Sequence, residues 1–194
     1  MNRALLAFNP EAQGDDGGIL LFGVAVPRPT HSDGFSAIEE LNLASHFLET
    51  RPGPAMTALL EHIIHRSSAA HGHPIHAPIA ALLLQRLTPA ANVVRNALNA
   101  RVEPPFALSP EGIFGAELEG LSPEDQEFEA ARRFVQFADE LTRLAASAAT
   151  SAQSHFLVPD AERLAIDRFA PGLPRALACS SGGFRARRQE RAGQ

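Results

Sequence analysis

Phe128, Ala131, Val135, Ala138 and Leu141 recur at steps of three and four, and Phe134 and Phe137 widen the stripe. A period of 3.6 residues held over that length specifies a helix with one apolar face, because strand side chains alternate with a period of two. The start of this helix is also written in the sequence. Ser122 is placed to cap it, Pro123 takes the first helical position, and Asp125 follows three residues after the cap. Glu124, Asp125 and Glu127 lie where the helix dipole favours negative charge. Downstream, Glu129 with Arg133 and Asp139 with Arg143 form acid-before-base pairs at i, i+4, the favourable orientation. Six carboxylates between Glu117 and Glu129 raise the alternative of an acidic active site. Catalytic carboxylate pairs need a cleft and opposed environments; here helix initiation accounts for the pattern.

Similar signals recur upstream. Ser36 and Glu39 have the spacing of a capping box, each side chain reaching the other's backbone N–H. Ile38, Leu41, Ser45 and Leu48 follow as the expected inward face. After Pro52 and Pro54, Met56, Leu59, Leu60, Ile63 and Ile64 form one stripe, with Glu61, His62, His65 and Arg66 opposite. Pro78 opens a third helix with Ile79, Leu82, Leu83 and Leu87 inward. Thr88 and Pro89 open a fourth with Val93, Val94, Ala97 and Leu98 inward. Ser109-Pro110 marks a short start, and a last helix runs from Pro159 or Asp160 to Phe169, stopped by "APGLP". The expected fold is all-α, an irregular bundle of about five to six short helices.

The expected organisation has three parts. Residues 1–35 read as a loop or partner-dependent segment, with room for one strand at Ile19–Val26. Residues 36–170 form the helical domain, and 171–194 a basic disordered tail. A lone strand needs a partner, either the Ala4–Phe8 run or another chain.

Composition narrows the function. All 17 basic residues are Arg, and Phe is the only aromatic. Residues 175–194 carry five Arg against one Glu, which leaves the rest of the chain at −9 against an overall −5. An acidic body with a short basic tail argues against nucleic-acid binding, which needs a basic face with stacking aromatics. One cysteine, Cys179, excludes an intramolecular disulfide framework. "MNRALLAFNP" lacks the apolar core of a signal peptide, and Ile19–Val26 is too short to span a bilayer. The expected location is the cytoplasm, or export without a classical signal.

Five histidines, His62, His65, His71, His73 and His76, fall within fifteen residues. They are the candidates for a metal site, but three or four ligands must converge with supporting hydrogen bonds. No HExxH or cysteine pattern accompanies them, so they read as a polar helix face running into a His-rich loop. "ACSSGGF" around Cys179 lacks a nucleophile elbow, and Gly14, Gly17 and Gly18 make no phosphate loop. No catalytic residue, metal site or cofactor is therefore assigned.

"IFGAELEGLSPEDQEFEAARRFVQFA" (Ile113–Ala138) resembles a segment of an uncharacterised bacterial protein group, in which a similar phrase precedes an Ala-rich helix. "EELNLASHFLE" (Glu39–Glu49) resembles the group's acidic helix, and "RFAPGLPRAL" (Arg168–Leu177) its closing segment. The group has no established activity. Its Gly/Ala-rich middle implies close helix packing or membrane contact. This chain departs there: His76–Phe106 contains no glycine. The reading that follows is a non-enzymatic helical interaction or assembly protein, with a protein partner or self-association. The alternatives are a His-dependent metal binder or metalloenzyme, and a membrane-active helical protein.

Overall fold

The computed structural model describes residues 19–21, 24–26, 34–100, 105–115, 118, 120–149 and 154–180. The chain divides into two units, Met1–Ser32 and Asp33–Gln194. In the first, β1 (Ile19–Leu21) pairs antiparallel with β2 (Val24–Val26), Ile19 opposite Val26 and Leu21 opposite Val24. The run expected as one strand in search of a partner is thus two strands paired with each other. The Ala4–Phe8 run lies outside the described residues.

The second unit is all-α. Its helices are α1 (Ala37–Glu49), α2 (Pro54–Ala70), α3 (Ala77–Leu98), α4 (Pro110–Phe114), α5 (Pro123–Ala149), α6 (Ser154–Phe169) and α7 (173–180), with a 3₁₀ turn at Phe106–Leu108. The bundle is built on α5. At about 1.5 Å per residue its 27 residues are long enough to pack against α1, α2, α3, α4 and α6. Its start matches the sequence reading: Ser122 Oγ accepts from the Asp125 N–H at 3.2 Å and donates to the Asp125 carboxylate at 2.7 Å. The stripe Ala131, Phe134, Val135, Phe137, Ala138 and Leu141 is buried. The α2 stripe from Met56 to Ile64 is buried as expected, and Ser109 caps α4.

Four expectations are corrected. The first is the orientation of α1. Ile38, Leu41 and Ser45 face water, Leu48 is half-buried, and Leu43, Ala44 and Phe47 are inside. Two stripes compete on this helix, and the one holding the aromatic wins. Phe47 stacks on Phe134 with ring centroids 4.6 Å apart, and burying a ring of that size outweighs the aliphatic alternative.

The second correction is Pro89, which starts no helix. It lies inside α3. Ile79, Leu83, Leu87, Ala90, Ala91 and Val94 keep one helical phase through it and are buried. Pro89, Gln85 and Arg86 are exposed, so the carbonyl that loses its N–H partner is on the wet side. Thr88 Oγ1 donates to the Leu84 carbonyl at 2.7 Å instead of acting as a cap. Third, and likewise, Pro159 lies within α6, which begins at Ser154. Val158, Ala161 and Ala165 are buried on both sides of it.

The fourth correction is the end of the domain. Residues 171–180, assigned to the tail, belong to the fold. The chain turns at Pro171-Gly172, and α7 sends Leu173 and Ala176 into the core. Gly172 donates its N–H to the Ile113 carbonyl at 2.9 Å. A Cβ at Gly172 would lie 1.7 Å from the Gly112 carbonyl oxygen, so only glycine permits this approach. Residues 181–194 lie outside the described residues.

Candidate functional site

Two arrangements in the second unit bear on function, a buried polar cluster and a neutral helix face. The cluster starts from the α2 stripe. One step beyond Ile63 and Ile64 the inward position is Ser67, fully buried. A buried hydroxyl needs a partner, and Ser67 Oγ donates to Asp139 Oδ1 at 2.5 Å. One turn on, His71 ends α2. Its ring is 5% exposed, and its Nε2 lies 3.2 Å from the same Oδ1. The backbone of Gly34 covers the carboxylate: a Cβ there would sit 2.5 Å from Asp139 Oδ2 and 3.4 Å from His71 Cε1. Burial pushes the Asp139 carboxyl above the usual carboxylate range. The Ser67 hydrogen bond and His71 oppose that push, and the charge of Glu140 adds to it.

Sequence spacing pairs Asp139 with Arg143, but in the structure Arg143 turns to Glu140 at 2.7 Å. Asp139 is drawn inward by Ser67 and His71, whose polar atoms it satisfies. The cluster does not have the geometry of a nucleophilic triad. There the base must contact the nucleophile; here the hydroxyl and the imidazole both address one carboxylate oxygen. Its chemical capacity is to hold or release a proton at a closed site.

The neutral face is the outer side of the N-terminal half of α1; His46 and Glu49 are exposed toward its C-terminal end. Its two first-turn acids are tied sideways. Glu39 takes Arg66 of α2, with Nε at 2.8 Å, and Glu40 takes Arg132 and Gln136 of α5. The capping box is therefore half-formed: Ser36 Oγ accepts from the Glu39 N–H at 3.3 Å, while the Glu39 carboxylate leaves for a guanidinium. A charge-assisted pair outweighs one backbone N–H that water can satisfy. Between these acids Ala37, Ile38, Leu41, Asn42 and Ser45 are exposed, with Ile38 at 73% and Leu41 at 41%.

The sequence candidates are scattered. His62 and His65 are exposed on α2, and His73 and His76 are exposed between α2 and α3. Only His71 is enclosed, by Asp139. Among the described residues no three His, Cys, Asp or Glu side chains gather closely enough to hold a metal. Cys179 is exposed near the end of α7. Glu124 and Asp125 are exposed in the first turn of α5, and Glu127 just beyond it. Sequence reasoning misses Asp139 as a site residue. A signal for it exists: it directly follows the inward Ala138, and Ser67 continues the α2 stripe. Comparison with protein-family models, curated proteins and solved structures gives no match for this chain.

Proposed function

We propose that this chain is a non-enzymatic helical interaction protein that contacts protein through the outer face of α1. One observation carries the reading. Ile38 and Leu41 sit one turn apart in water, on a strip from which the neighbouring acids have been turned away to Arg66 and Arg132. Depletion of charge around exposed large aliphatics is the composition of an interface core, and single exposed apolar residues lack that surround. The Glu39–Arg66 and Glu40–Arg132 pairs at its edges supply the polar rim.

Among the described residues α3 is the one helix long and apolar enough to cross a membrane, by length and composition. It packs against α2 and α5, so a place in the bundle accounts for its hydropathy. The protein reading is therefore preferred to the membrane one.

The partner tested first is a second copy of the chain. Sedimentation equilibrium of the wild type is expected to show association that rises with concentration up to about 100 μM. The Ile38→Glu, Leu41→Glu double variant is expected to remain monomeric with an unchanged far-UV circular dichroism spectrum, since both positions are exposed. A wild type that is monomeric throughout overturns self-association. Equal association of the two proteins overturns the role of α1.

A further inference from the structure

We propose that Asp139, Ser67, His71 and Gly34 form a proton-operated latch that holds the backbone at Gly34 and the ring of Phe35 on the helical domain. The latch is independent of the α1 reading.

The geometry has three parts. Asp139 on α5 is gripped from α2 by the Ser67 hydroxyl at 2.5 Å and by His71 Nε2 at 3.2 Å. The backbone at Gly34 lies directly on the other carboxylate oxygen, so close that a Cβ at position 34 would sit 2.5 Å from it and force the carboxylate to shift. The next residue, Phe35, is buried in the core, and Ser36 caps α1. Lifting Gly34 and Phe35 would therefore uncover the carboxylate and the Phe35 ring together.

Proton linkage sets the direction. With the latch shut the carboxyl is desolvated, which favours its neutral form; with the latch lifted it meets water and ionises in the usual range. The shut state therefore binds the proton more tightly. Its advantage is complete at low pH and is lost as pH rises through the elevated pKa of Asp139. The other groups facing Asp139 are accounted for. From α2, Ser67 and a charge on His71 favour the ionised form. On its own helix, Glu140 favours the neutral form, while the charge of Arg143, which is paired with Glu140, also reaches Asp139 and favours the ionised form. Gly34, Phe35 and Ser36 bring no charge.

The chain contains no Trp or Tyr, so a Phe35→Trp variant carries a single fluorophore at the moving residue. Acrylamide quenching of that indole is expected to rise by about twofold or more as pH is raised from the usual carboxylate range through the elevated pKa of Asp139. Adding Asp139→Asn should flatten the response, because the amide cannot ionise. Adding His71→Gln should move the transition to higher pH, because His71 favours the ionised form. Quenching that is independent of pH overturns the latch, and so does an unchanged response in the Asp139→Asn background. If the larger ring of the Phe35→Trp variant fails to seat, amide exchange of residues 34–37 in the full wild-type chain, corrected for intrinsic rates, decides the same question. Protection that weakens with rising pH supports the latch; constant protection overturns it.

Discussion

Glu140 carries the clearest single-residue consequence. Its side chain is nearly closed to water, with Arg143 at 2.7 and 2.8 Å and Arg168 at 3.1 Å. Burial works against its ionisation, but the Arg143 hydrogen bonds and charge, with Arg168 behind them, hold its carboxyl below the usual range. A depressed folded pKa stabilises the fold above the unfolded value and loses that contribution as pH falls through the folded one. Glu140→Gln should therefore cost about 1.5–3 kcal/mol near neutral pH, the range for hydrogen bonds to charged groups. The deficit should shrink as pH falls from the usual glutamate range through the depressed folded value, where the wild-type carboxyl also takes up a proton. Urea denaturation at neutral and acid pH measures both. At this scale the sequence was legible only where partners are local. Glu129 and Arg133 pair as spacing predicts, at 2.9 Å. Asp139 and Arg143 have the same spacing, yet Asp139 binds Ser67 instead, 72 positions away. Helical geometry offers a surface acid several partners, and a contact between distant segments makes the choice.

At the scale of elements the same division holds. The α2 and α5 stripes were readable because each helix carries one apolar face and the bundle buries it. α1 carries two candidate faces, and the choice rests on Phe134, which belongs to another helix. α3 misled for a different reason. Thr88-Pro89 is a sound local start signal, but the buried phase from Ile79 to Val94 is continuous, and tertiary burial overrides local preference. That leaves a testable residue of strain. Pro89 is exposed and cannot complete the helical ladder. Pro89→Ala should raise stability by about 1–3 kcal/mol, the helix-propensity gain less the added freedom of the unfolded chain. A urea midpoint shifted upward at unchanged slope is the expected result. Loss of stability would mean that the packing of α3 depends on a bend made by the proline.

For the whole molecule, the all-α class was legible from periodicity alone, but the extent of the domain was not. Gly and Pro at "APGLP" read as a stop, and they do end α6. They also make the turn that returns the chain to α4, where the Gly172 N–H meets the Ile113 carbonyl at 2.9 Å. A turn that ends a helix and one that ends a domain look alike in sequence; what distinguishes them is whether apolar residues beyond the turn find a core. Leu173 and Ala176, 2% and 0% exposed, do so. The consequence can be tested by truncation. A chain ending at residue 180 keeps Leu173, Ala176 and the Gly172 hydrogen bond and serves as the reference. A chain ending at residue 170, the boundary drawn from sequence, loses Leu173, Ala176 and the Gly172 hydrogen bond. Removing a buried leucine costs about 2–5 kcal/mol by itself, a large share of the stability of a domain this size. The shorter chain should therefore show a much lower urea midpoint. Equal midpoints for the two truncations would place α7 outside the cooperative unit and reduce it to an ornament of the bundle.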